Sequence, residues 1–142
     1  MKLKTKKQII NETFNYYNKN PKKRRSLMRK DTFDELSVCV YNGKNNTHCA
    51  VGRLFTNEYK NQGKNFDGNT LNIHDLTIRH SGIDKLLKPS YAGHPIHFWI
   101  DLQILHDDED YWYDDKATDA GHAWKRTLHR KWDEEPGIGS LK

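Results

Sequence analysis

The chain is 142 residues long with a net charge of +5; only 35% of residues are hydrophobic, yet 11% are aromatic, and mean hydropathy is −1.02. That length suits one domain, and the aromatics offset the low hydrophobicity that would otherwise point to disorder. No apolar run reaches the ~18 residues that span a bilayer, no apolar stretch follows the charged start MKLKTKKQII, and two cysteines are too few for a disulfide scaffold; the expectation is a soluble cytoplasmic protein with no membrane partner.

In chain order, residues 4–19 predict a helix with Ile9, Ile10, Phe14 and Tyr17 near one face, stopped at Asn20-Pro21. A basic connection, Pro21-Lys-Lys-Arg-Arg-Ser, follows. Residues 37–41 are β-prone, Asn42-Gly-Lys-Asn-Asn-Thr47 is a turn by composition, and 48–55 is either a returning strand or the start of a short helix. Residues 56–72 are polar and Asn/Gly-rich, which predicts an exposed excursion. A short helix is expected at 81–87, ended by Lys88-Pro89. Pro95 opens a helix through His106 whose apolar residues cover most of its circumference, the mark of a buried central helix. A last helix spans about 117–133, with Ala117, Ala120, Trp124, Leu128 and Trp132 on one face.

These elements predict an α+β fold: a mainly α-helical single domain with a small β-hairpin or short sheet around residues 37–55. Within residues 1–142, the reading divides a basic N-terminal helix and connection (1–30), a core (31–135) and a flexible tail (136–142). Charge is distributed unevenly over these parts. Residues 1–30 hold eleven Lys/Arg against one Glu, residues 101–142 hold six against eleven acidic residues, and the middle is near neutral.

Four groups of residues invite a chemical reading. Cys39, Tyr41, His48 and Cys49 flank the turn, and His74 or His80 could complete a metal set. Nine residues separate the thiols, however, instead of the tight C-x₂₋₄-C spacing of zinc sites, so buried thiols packing as small hydrophobes are favoured. The acidic run His106-Asp-Asp-Glu-Asp110, with Asp114, Asp115 and Asp119, has the density of a Mg²⁺ or Ca²⁺ site. It lacks the ligand order and the glycine of an EF-hand, and reads as a solvated loop with an Asp capping the next helix. No metal site and no cofactor is assigned.

The basic head supplies Lys22, Lys23, Arg24, Arg25 and Arg29 as candidate phosphate ligands, with Phe14, Tyr16 and Tyr17 available to stack on bases. The competing reading is a solvated terminus docked on the chain's own acidic part. Eight histidines are many for this length, but no G-x-S-x-G, P-loop or H-E-x-x-H motif accompanies them. No catalytic residue is assigned.

The run Cys39-Val-Tyr41, followed after the turn by Cys49-Ala-Val-Gly52-Arg-Leu54 and Asn57-Glu58-Tyr59, resembles a pattern of small phage and prophage proteins. Leu102-Gln-Ile-Leu-His106-Asp107 and Trp112 resemble its later L-Q-x-L-H-D segment. The resemblance covers roughly residues 37–132 and leaves the head and much of 60–95 outside; the family has no assigned function. Two physical readings of the motif stay open. The small residues of Cys49-Ala-Val-Gly52 allow close packing against a helix, with Gln103 and His106 bonding the backbone of the expected hairpin; or Tyr41, Gln103, His106 and Asp107 line a polar pocket.

The resemblance implies a phage-encoded, non-enzymatic binding protein that counters or redirects a host process. With the basic head, the ligand class expected is an anionic nucleotide or a nucleic acid. The alternatives are a protein–protein inhibitor of a host factor and a metal-dependent hydrolase using His and Asp near 106–119. A homo-oligomer is a further partner considered, through Tyr111 or Trp132.

Overall fold

The computed structural model describes residues 2–29 and 37–133, with the side chains of 2–26 and 40–133. Helix α1 (Lys6–Asn18) begins at a capping box: Gln8 N donates to Thr5 Oγ1 while Thr5 N donates to Gln8 Oε1. It buries Ile9, Ile10, Thr13, Phe14 and Tyr17, the periodicity of one helix face. Asn20 caps the short α2 (Pro21–Arg24), which Pro21 opens. Ribbon strands β1 (Leu27–Arg29) and β2 (Ser37–Cys39) then pair antiparallel.

After them come α3 (Asn57–Lys60), α4 (Ile73–Arg79), α5 (Ile96–Asp107) and α6 (Asp119–Lys131), separated by 3₁₀ turns. Helix α5 is the axis of the core. It buries Phe98, Trp99, Leu102, Leu105 and His106 and packs against α1, α4 and α6. Thr118 caps α6 by accepting from Gly121 N at 3.1 Å, so the predicted Asp cap is replaced by a threonine.

The expected α+β class is corrected: the described chain is mostly helical, and no hairpin forms over residues 37–55. The three-residue β1–β2 ribbon joins residues 37–39 to the segment before them. The reason lies in the backbone donors. Tyr41 N donates to Asn69 O at 3.1 Å and Asn42 N to Asn69 Oδ1 at 2.8 Å. A hairpin needs those amides for its own ladder. The turn itself exists, closed by Gly43 N to Thr47 O at 2.8 Å and by a single Asn42–His48 bridge. Beyond it the chain coils into a 3₁₀ turn at Gly52–Leu54.

Two further expectations shift. The stretch 56–72 is no simple excursion, because Phe66 is buried against Phe55 and Tyr41 and Asn69 is buried beneath the turn. The helix expected at 81–87 lies earlier, as α4, leaving only a 3₁₀ turn at Ile83–Lys85. Among the described residues no helix is long and apolar enough to cross a membrane. Residues 31–36 and the predicted tail 136–142 lie outside the described residues.

Candidate functional site

Helix α5 presents Ile100, Gln103, Ile104 and Asp107 along one side, at the i, i+3, i+4, i+7 spacing of a single face. Facing them is the chain entering α4, residues 70–74, held by the cap from Asp75 N to Asn72 Oδ1 at 2.8 Å. Tyr41 closes the end. Together they enclose a cavity of about 490 Å³, within the range of small-molecule sites. Leu71, Ile73, Ile100 and Ile104 make its walls apolar.

Its polar lining is made by Tyr41, Thr70, Asn72, His74, Gln103 and Asp107. Asp107 Oδ1 accepts from His106 Nδ1 at 2.8 Å and from Gln103 Nε2 at 3.2 Å, while Oδ2 makes no hydrogen bond among the described residues. The Asp107 side chain is 40% exposed, so this oxygen belongs to a group open to a ligand. Gln103 Oε1 accepts from Val51 N at 3.2 Å, which ties α5 to the Cys49-Ala-Val-Gly52 segment. The Tyr41 hydroxyl makes no hydrogen bond among the described residues; burial raises its pKa, with the nearby Cys49 and Asp107 in support, so it stays a neutral donor. The cavity is lined by no lysine and no arginine.

Of the four residues expected to form a polar pocket, Tyr41, Gln103 and Asp107 line this one. His106 stands behind the wall, fully buried. Its Nε2 accepts the Ser26 amide at 3.0 Å and its Nδ1–H faces Asp107, a pairing that defines a neutral tautomer. Burial lowers the His106 pKa, against the opposing pull of Asp107. Ser26 is also fully buried and its Oγ has no hydrogen-bond partner among the described residues, so Ser26, His106 and Asp107 adjoin without forming a nucleophile–base bond.

The head is folded onto this core. Arg25 Nε donates to His106 O at 2.8 Å and Nη2 to Asp107 O at 3.2 Å, capping the last turn of α5. Arg24 Nη1 donates to Tyr16 O at 3.0 Å and the guanidinium lies 4.4 Å from the Tyr16 ring centroid. Lys22 and Lys23 are exposed, and the Arg29 side chain lies outside the described residues. Phe14 and Tyr17, expected as stacking platforms, are instead core residues. Contact with the acidic part is real: Lys7 pairs with Asp133 at 2.6 Å and Lys22 N donates to Asp114 O at 3.2 Å.

No three of the described His, Cys, Asp and Glu residues come together to hold a metal. Cys49 is fully buried, accepts from Gly52 N at 3.3 Å, and has its thiol pushed up to about 12 by burial first and Asp107 second. The Cys39 side chain lies outside the described residues. His48 bonds Asn42 Oδ1 at 3.0 Å, and His80 bonds Asp67 O at 2.7 Å. Asp108 accepts from Asp110 N at 2.9 Å, so this part of the acidic run organises its own turn.

Sequence reasoning missed the wall made by residues 70–74, read as part of an exposed excursion. A signal for it existed: Asn72 before Ile73 and Leu76 is the pattern of a capped, amphipathic helix start. Compared with family models, with curated proteins and with solved structures, the chain finds no match. The functional reading therefore rests on the site itself.

Proposed function

We propose that this chain is a non-enzymatic binding protein whose cavity takes the base of a nucleotide-type ligand. As a phage-encoded protein it would thereby counter or redirect a host process. The observation that carries the reading is the convergence of Tyr41, Gln103 and Asp107 on one apolar-walled cavity. An unfilled carboxylate oxygen suits a planar group carrying an amino donor, with a ring N–H beside it on guanine and the amino group alone on cytosine. The apolar walls suit its faces.

The same chemistry moves the anion. A carboxylate-bearing cavity without a lysine or arginine repels phosphate, so the ligand enters base first with its charged end outward. The head supports the reading by holding α5 in place through Arg25, and among the described residues of 21–26 Lys22 and Lys23 are the exposed cations.

Calorimetric titration with guanosine, cytidine, adenosine, uridine and thymidine tests the proposal. Saturable binding of an amino-bearing nucleoside is expected. Asp107→Asn should weaken it at least about tenfold, because a charged acceptor is lost while the oxygen facing His106 and Gln103 is kept. Absence of binding by every nucleoside, or equal affinity in the Asp107→Asn variant, overturns it.

A further inference from the structure

Thr70 and Leu71, which line the cavity, also line a second hollow of about 390 Å³ that includes Lys64, Gly68, Asn69 and Arg79. The two hollows therefore adjoin across one stretch of chain, and they divide the charge between them. The cavity is lined by Asp107 and by no lysine or arginine, the second hollow by two cations and no carboxylate.

The loop that separates them is firmly held. Asn69 N donates to Phe66 O at 3.1 Å and Leu71 N to Gly68 O at 2.9 Å. Phe66 is buried and its ring stacks on His80 at 5.2 Å, while Asn69 Nδ2 is tied to Asn42 O at 3.0 Å. Gly68 turns the chain at φ +94°, where a side chain is strained. With these contacts made, the amides of Gly68 and Thr70 have no hydrogen bond among the described residues.

The two cations are available as well. Lys64 is exposed on the turn Gly63–Asn65, and its ammonium has no partner among the described residues. Arg79, the last residue of α4, gives Nη1 to Asp67 Oδ1 at 2.6 Å. That bond fixes the guanidinium and leaves its Nε and Nη2 without a hydrogen bond among the described residues. Asp67 balances one of the two positive charges, and the other is uncompensated. Cationic donors beside unpaired amides on a held loop suit the oxygens of a phosphate.

We infer that the ligand is a nucleoside 5′-monophosphate whose phosphate passes Thr70 and Leu71 and lies on Lys64 and Arg79. The inference rests on the base-binding reading of the cavity and gives the outward charged end its place. Asp107 repels the phosphate at one end of the site and the two cations attract it at the other, so charge alone fixes the direction of the ligand.

The test uses the full chain at constant ionic strength, with guanosine and cytidine, their 5′-monophosphates, and ribose 5-phosphate as probes. Calorimetry gives the affinities and amide chemical shifts locate the phosphate. A monophosphate should bind at least about tenfold tighter than its nucleoside, with added shifts at Lys64, Gly68, Thr70 and Arg79. Lys64→Met and Arg79→Met should each bring that ratio toward one. Lys64 bonds to nothing among the described residues, so its variant carries the test if the loss of the Arg79–Asp67 pair disturbs the fold. Equal affinity for nucleoside and monophosphate overturns the inference and leaves the cavity reading standing; binding of neither overturns both. Binding of ribose 5-phosphate at Lys64 and Arg79 without binding of any nucleoside supports the phosphate site and overturns the base reading. A ratio unchanged in the methionine variants, or lost on Lys22→Glu/Lys23→Glu instead, overturns the inference by placing the phosphate elsewhere.

Discussion

Gly52 lies directly against the backbone of Tyr41: a Cβ on it would overlap the Tyr41 carbonyl oxygen and stand 2.9 Å from the carbonyl carbon. Only glycine lets the Cys49-Ala-Val-Gly52 segment approach so closely, and the obstacle is backbone that cannot rotate away. The same contact sets Tyr41 at the end of the cavity. Gly52→Ala should therefore destabilise the chain by about 1–3 kcal/mol and weaken nucleoside binding as well. A chemical-denaturation midpoint equal to that of the parent would contradict this.

Arg25 acts as a strut between the head and α5. Arg25→Ala removes two charge-assisted bonds to the His106 and Asp107 carbonyls and should lower stability by about 2 kcal/mol. Arg25→Lys should not restore it, because an ammonium cannot span both carbonyls with one fork. Lys22→Ala and Lys23→Ala, at exposed positions, should stay within about 0.5 kcal/mol of the parent. Equal losses at all three positions would show that net charge, and not the strut, matters.

Stability should fall as pH drops from 7.5 to 5.5. Burial depresses the pKa of His106, and burial with the Lys60 charge depresses that of His48. The unfolded chain takes up these protons near pH 6.5 while the native state resists them. The native advantage is thus complete above about 6.5 and is lost as pH falls toward the depressed native values. Urea midpoints at the two pH values check the direction, and His106→Gln should flatten the slope. A midpoint higher at pH 5.5 would refute the assignment.

Cys49 should resist alkylation in the native chain at pH 8. Its thiol is fully buried and titrates near 12, so almost no thiolate exists and none is accessible. In a Cys39→Ser background, iodoacetamide should label Cys49 only after denaturant is added. Rapid native labelling would mean that the segment opens.

Much of the helical framework is legible in the sequence, because it depends on local rules. Thr5 with Gln8, Asn20 with Pro21, and the apolar circumference of residues 96–106 each act within a few positions. So does the pairing of Gln103 with Asp107, one turn apart on α5. Tyr41, Gln103 and Asp107 were nameable as pocket candidates because polar groups stand beside apolar ones in both motifs.

What the tertiary structure decided is where backbone amides and charges find partners. Asn69 takes the amides of Tyr41 and Asn42 from 27 or more positions away and so replaces the expected hairpin. Arg25 reaches across 81 residues to a carbonyl, which turns a solvated cation into a cap. Residues 70–74 become a cavity wall only because α4 packs on α5. The charge of +5 says nothing about these outcomes: it counts ions, whereas binding depends on which of them the fold leaves without a partner.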